Sequence, residues 1–152
     1  MLKKSAIKLM WLLASITISM PAFSAAKDSP LPETFADNKV VIQLSDYNPQ
    51  KQQLVLNVTG NLIKYFDGKE VDIEVVTFGP GVRLLMKDNP HSQRIQALMD
   101  AGVRFSVCGN TLTNMEKQLG YRPVIREGVM EVEAGAGRIL QLNKAGWQVL
   151  KP

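Results

Sequence analysis

The chain has 152 residues, a formal net charge of +4, one cysteine and one histidine. Three of its 18 Lys and Arg stand within the first eight residues, while all 14 Asp and Glu come later, so the body of the chain is close to neutral and lacks the basic excess of a nucleic-acid binder. A lone Cys cannot close an internal disulfide, and one Cys with one His argues against a protein-only zinc site.

Lys3, Lys4 and Lys8 precede an apolar segment from Leu9 to about Met20, followed by Pro21-Ala22-Phe23-Ser24-Ala25-Ala26. This is the pattern of a cleavable secretory signal peptide. The segment is too short and too rich in Ser and Thr to span a bilayer comfortably. Ala22 and Ser24 occupy the small-residue positions, so cleavage is expected after Ser24, with Ala26 as the next choice. Residues 1–24 therefore predict export to the periplasm and no membrane attachment afterwards. Residues 25–38, with Pro30 and Pro32, read as a flexible, exposed leader, and 39–152 as one domain.

Lys39 to Leu44 reads as a buried first strand. It ends at Ser45-Asp46-Tyr47-Asn48, where Asn48 can cap a helix opened by Pro49. The helix is predicted from Pro49 to Phe66, with Leu54, Val55, Val58, Leu62 and Phe66 as its apolar stripe. Val71 to Phe78 is a second strand, so a right-handed βαβ unit with parallel pairing is expected. After Gly79-Pro80-Gly81 come a short helix over Val82 to Lys87 and a longer one over Pro90 to Ala101, stopped at Gly102. Val103 to Cys108 alternates apolar residues as a third strand, and Leu112, Met115 and Leu119 predict a helix from about Thr111, capped by Asn110 or Thr111. Val129 to Val132, in preference to Val124-Ile125, supplies a fourth strand. A helix follows over Gly135 to Lys144, carrying Ile139, Leu140 and Leu142, and Trp147 to Lys151 is an edge strand. The alternation predicts a three-layer α/β domain, a mostly parallel sheet of about five strands flanked by helices.

In such a sheet, ligands bind at the carboxyl ends of the strands. Three loops meet that description: one holding Asp46 and Asn48, one holding Gly79, Pro80 and Gly81, and one holding Cys108, Gly109, Asn110 and Thr111. The two glycines astride Pro80 would let backbone N–H groups approach an anion, although such a turn also simply breaks a strand. Cys108 is open to three readings: a buried inert side chain, a thiol paired with another molecule, or a thiol kept for its chemistry. Its position at a strand-to-helix turn favours the thiolate, and Arg104 or Arg83 would supply a cation. His91 reads as a surface or capping residue, and no esterase elbow, Walker loop, metalloprotease motif or cofactor motif is present.

Ile73-Glu74-Val75-Val76 leading into Gly79-Pro80-Gly81, then Gly102-Val103-Arg104-Phe105 leading into Cys108-Gly109-Asn110-Thr111-Leu112, resemble the DsrE/DsrF-like family. A third match is the ending, with Ala134-Gly135, Arg138-Ile139, Gly146-Trp147 and Lys151-Pro152. The resemblance implies a parallel sheet flanked by helices, assembly into trimers or hexamers, and a persulfide carried on Cys108 between a donor and an acceptor protein, by chemistry akin to thiol–disulfide exchange. The alternative is a non-catalytic oligomeric module in which Cys108 is core filling and the glycine loop holds a small anion or faces another subunit. A third reading, oxidation of an exposed Cys108 thiolate to the sulfenic acid, would make the chain a redox sensor.

Overall fold

The structure is a computed structural model and describes residues 29–68 and 70–152. The expected signal peptide, 1–24, lies outside the described residues. Five strands form one sheet: β1 (Asn38–Leu44), β2 (Val71–Thr77), β3 (Arg104–Cys108), β4 (Met130–Val132) and β5 (Gln148–Leu150). They lie in the order β4-β3-β2-β1-β5, and every pairing is parallel. The helices are α1 (Pro49–Tyr65), α2 (Ser92–Asp100), α3 (Gly109–Leu119) and α4 (Gly135–Lys144), with a 3-10 helix over Gly79–Leu85.

The strand order fixes which helix lies on which face. From β1 to β4 the chain steps in one direction across the sheet, and right-handed crossovers put the intervening helices on one side. The last connection runs back past β1, so α4 falls on the other side. The cores follow this division. Val40, Ile42, Ile73, Val75, Phe105 and Val107 pack with Val55 and Leu56 of α1, Ile95 and Leu98 of α2, and Leu112 of α3. Val41 and Val76, pointing the opposite way from the same strands, pack with Ile139, Leu142 and Trp147. Alternation along each strand therefore feeds two cores, which is the meaning of the three layers.

The second face also carries charge. Glu74 is fully buried there and receives Arg138 in two hydrogen bonds, Nε to Oε1 at 2.8 Å and Nη2 to Oε2 at 3.0 Å, with the Ser106 hydroxyl donating to Oε1 at 2.7 Å. Arg138 Nη1 goes on to donate to the carbonyls of Ser29 and Pro30, at 3.0 and 3.1 Å. Within the expected leader, Ser29 and Pro30 are thus tied to α4, because the inner guanidinium has donors left over after pairing with Glu74.

Three expectations need correction. In α1, Val55 is buried and Val58, Leu62 and Phe66 pack against the core as expected, but Leu54 faces outward at 42% exposure, and Gln52, Leu56 and Thr59 are buried instead. Gln52 and Thr59 are tolerated inside because Nε2 donates to the Tyr47 carbonyl and Oγ1 to the Val55 carbonyl. Leu140 is likewise exposed. The short helix predicted from Val82 begins earlier, as a 3-10 turn that includes the glycines themselves. Ile125 makes one antiparallel bridge to Met86, outside the five-stranded sheet.

Candidate functional site

The crevice in an open parallel sheet lies where neighbouring strands send their connections to opposite faces. Here those neighbours are β3 and β4: α3 leaves toward one face and α4 toward the other. Cys108 is the last residue of β3, and its partner across the ladder is Val132 of β4. The single thiol therefore sits at the point of divergence, between two helix N-termini.

The local backbone explains how it is held. Expected to begin near Thr111, α3 instead begins at Gly109, with Cys108 itself in the capping position and no side-chain cap. Neither Asn110 nor Thr111 is needed for that purpose, because the Asn110 N–H donates to the Glu133 carbonyl of the β4–α4 loop at 3.1 Å. Gly109 has no left-handed backbone. The site is crowded: a Cβ would lie 2.8 Å from Glu131 Oε1, the movable end of that side chain, and 3.3 Å from the Val132 carbonyl oxygen. At Gly135, which opens α4, a Cβ would lie 2.9 Å from Phe78 Cβ and 3.3 Å from Cys108 Cβ.

Cys108 is 6% exposed. Burial, the largest single influence on its thiol, pushes the pKa up; the Thr111 hydroxyl and the backbone N–H groups of Gly135, Thr111 and Asn110 pull it down, and the net effect is below the ordinary value. The protonated thiol has one acceptor, the Glu133 carbonyl at 3.9 Å. No cation takes part. Arg104 shares the face of β3 but is four residues away, bound to Asp72 at 3.2 Å and stacked 5.1 Å from the Trp147 ring centroid.

A cleft of about 550 Å³ is lined by Tyr47, Gly79, Pro80, Arg83 and Thr111 with four further α3 residues, and Cys108 is not among its lining. All three predicted loops contribute to it. Two of its lining residues are joined, the Gly79 N–H donating to Thr111 Oγ1 at 3.0 Å. That bond, with the Gly81 N–H donating to the Phe78 carbonyl and Pro80 having no N–H, uses up the glycine loop's donors inside the protein. The loop is accordingly no anion cradle. Gly79 has φ +52°, and at Gly81 an added Cβ would overlap the Leu44 carbonyl oxygen, so the glycines let β2's exit pack on β1's.

Asp46 and Asn48 stand apart from the thiol. Asp46 Oδ1 accepts the Asn48 N–H and Asn48 Oδ1 accepts the Gln50 N–H, both at 2.8 Å, so their carboxylate and carboxamide shape the start of α1. His91 precedes α2 without capping it through its side chain. Among the described residues no three His, Cys, Asp or Glu side chains gather as a metal site, and no helix is long and apolar enough to cross a membrane.

The sequence profile of the DsrE/DsrF-like family matches residues 38–152. The chain belongs to the DsrE/DsrF-like family. A solved structure, the protein of unknown function MTH1491 from Methanobacterium thermoautotrophicum, is 32% identical over 76% of this chain and all of its own, with a TM-score of 0.68. No curated protein matches. Within this DsrE/DsrF-like domain, the sequence motifs placed Cys108 and the loops after β1, β2 and β3, but the contribution of the loop after β4 went unread. Ala134-Gly135 was visible as a motif. Its proximity to Cys108 follows only from the return of the chain across the sheet, which no local pattern encodes.

Proposed function

We propose that the chain is a sulfur carrier acting through Cys108, a role within the sulfur-relay chemistry that DsrE family membership suggests. The observation that carries this reading is the convergence of the α3 and α4 N-termini, with the Thr111 hydroxyl, on the one thiol. The arrangement favours a thiolate at a strand's end without any cation or metal. The Cys108 thiolate attacks the outer sulfur of a donor persulfide and becomes Cys108 persulfide, while the donor leaves as its thiolate. An acceptor thiolate later takes the same sulfur, and Cys108 leaves as thiolate. Both steps balance without an external oxidant or reductant. The same N–H groups that hold the thiolate hold the persulfide anion.

Export by the segment 1–24, and assembly into trimers or hexamers, belong to the same proposal; assembly would leave the sheet's carboxyl edge as the face offered to a donor or acceptor protein. The reading in which Cys108 is core filling draws on its low exposure and its close packing against Gly135.

Intact mass spectrometry before and after incubation with inorganic polysulfide, on wild type and Cys108→Ser, separates the two. Gain of one sulfur atom by the wild type alone, reversed by a reducing thiol, is the expected result. Absence of uptake, with native Cys108 also resisting alkylation, would sink the carrier reading.

A further inference from the structure

We infer that the turn between β4 and α4, Glu133-Ala134-Gly135, is a lid over Cys108 that is shut while the thiol is empty and is held open once Cys108 carries a second sulfur. The inference rests on the carrier reading for the sulfur that is loaded, and on the packing around Cys108 for the lid itself.

Cys108 is 6% exposed, and a second sulfur adds a bonded atom about 2 Å farther out. Room for that atom has to come from one of the walls around the thiol. Three of them are fixed. Val132, the ladder partner on β4, is 3% exposed within the sheet. Phe78 follows Thr77, the partner of Val107, so it stands beside Cys108 on the β2 side, packed against the smaller core. Ser106, two residues back on the same face of β3, is fully buried and bonded to Glu74. The fourth wall is the turn. Its Glu133 carbonyl oxygen stands 3.9 Å from Sγ and accepts from the thiol. Its Gly135 lies against the same side chain, since a Cβ added there would be 3.3 Å from Cys108 Cβ.

The turn is the wall that can give. Glu133 is exposed and Ala134 half-buried, so displacing them uncovers little apolar surface. A cavity of about 100 Å³ borders Val132, Glu133, Ala134 and Gly137 without Cys108 in its lining, which gives the turn open space away from the thiol. A single latch ties it to α3, the Asn110 N–H donating to the Glu133 carbonyl at 3.1 Å. Loading acts on that carbonyl in two ways. Sγ loses its proton when it becomes bonded to sulfur, so the oxygen loses a donor, and an electron-rich sulfur then faces an oxygen that can only accept. Released from the carbonyl, the Asn110 N–H becomes a donor for the persulfide anion. Loading proceeds through brief openings of the latch, and the added sulfur keeps the turn from closing again, which presents it to an acceptor thiol.

The test uses the purified protein and methyl methanethiosulfonate, which turns Cys108 into a methyl-capped stand-in for the persulfide. The Cys108 thiolate attacks the sulfur bearing the methyl group, the reagent's S–S bond breaks, and methanesulfinate leaves with its electron pair. Intact mass confirms the adduct. In crystal structures of the reduced protein and of the adduct, the Asn110 N to Glu133 O separation should pass from hydrogen-bonding length to beyond about 3.5 Å. Cys108→Ser, whose hydroxyl keeps the donor and takes up no sulfur, should stay shut. In solution, polysulfide-loaded protein should shift the Asn110 amide resonance as the adduct does, and a reducing thiol should restore it. An adduct with the latch intact overturns the lid, and leaves the carrier reading standing if polysulfide still loads Cys108. A latch that opens in the adduct while polysulfide adds no sulfur upholds the lid and overturns the carrier reading. Failure of both reagents to modify native Cys108 overturns the two together.

Discussion

Thr111 joins the end of β2 to the thiol at the end of β3: its Oγ1 accepts the Gly79 N–H at 3.0 Å, and its own hydroxyl proton is free to reach the Cys108 sulfur. Thr111→Val keeps the shape and removes both interactions. The rate of Cys108 alkylation at neutral pH should fall about tenfold, a charge-assisted hydrogen bond contributing roughly 1.5–3 kcal/mol. The pH profile of that rate should move to higher pH. Because the folded-state pKa of Cys108 is lowered, the thiolate adds stability that is complete above the unfolded value, about 8.5, and is lost as pH falls through the folded pKa. The stability gap between wild type and variant should therefore narrow on acidification. A gap independent of pH would mean that the hydroxyl serves only Gly79.

Gly135 and Gly137 open the same helix and give opposite expectations. An alanine at 135 would press its Cβ 2.9 Å from Phe78 Cβ, and neither partner can swing aside because both atoms are fixed to the backbone. The cost should be about 1–3 kcal/mol. The helix would retreat from Cys108, withdrawing one N–H and raising the thiol pKa. At 137 the nearest atom is Ala134 Cβ at 3.5 Å, an ordinary contact, so Gly137→Ala should be neutral or stabilising by up to about 1 kcal/mol. Urea unfolding of the pair, with alkylation rates, checks both; equal behaviour would remove the packing argument.

The sequence shows the strands and helices because each carries its own period, as in Val103 to Val107 or Leu112 and Met115. It shows the parallel sheet because strands and helices alternate. What it hides is non-local. Gln52 and Thr59 look like surface residues until the Tyr47 and Val55 carbonyls that satisfy them are in place. Gly135 reads only as the start of a helix, yet the crowding of Phe78 Cβ is what demands a glycine there. Cys108 was found from its position at a strand end, whereas the second helix pointing at it depends on where β5 inserts.

The carbonyls of Ser29 and Pro30 accept from Arg138 Nη1, and Gln141 Nε2 donates to Ser29 at 2.9 Å. Cleavage after Ser24 or Ala26 would keep both residues. Deleting 1–30 should cost about 1–3 kcal/mol, the range for leaving buried donors without partners. Urea unfolding of the shortened chain against one starting at residue 25 checks it, and equal midpoints would mean that water replaces the lost carbonyls.

Glu74 and Arg138 are fully and almost fully buried, at 0% and 3% exposure, 64 residues apart in sequence. Desolvating two charges is costly, so the pair's net contribution is small while it is intact and large when one member is lost. Glu74→Gln should cost about 3–5 kcal/mol, since it leaves the Arg138 charge buried with only neutral acceptors. Ser106 makes the outcome more specific, because its hydroxyl donates to the same Oε1 and would lose a charged acceptor as well. Arg138→Met should be as damaging for the converse reason. The double variant Glu74→Leu with Arg138→Met should recover most of the loss, because neither member of the pair is then stranded and Arg104, 3.9 Å from Glu74, keeps Asp72 at 3.2 Å. Denaturant midpoints for the wild type, Glu74→Leu, Arg138→Met and the double variant form a double-mutant cycle, and a sizeable favourable coupling energy is expected. Additive losses would mean that each side chain is held mainly by its other neighbours, Ser106 on one side and the Ser29 and Pro30 carbonyls on the other.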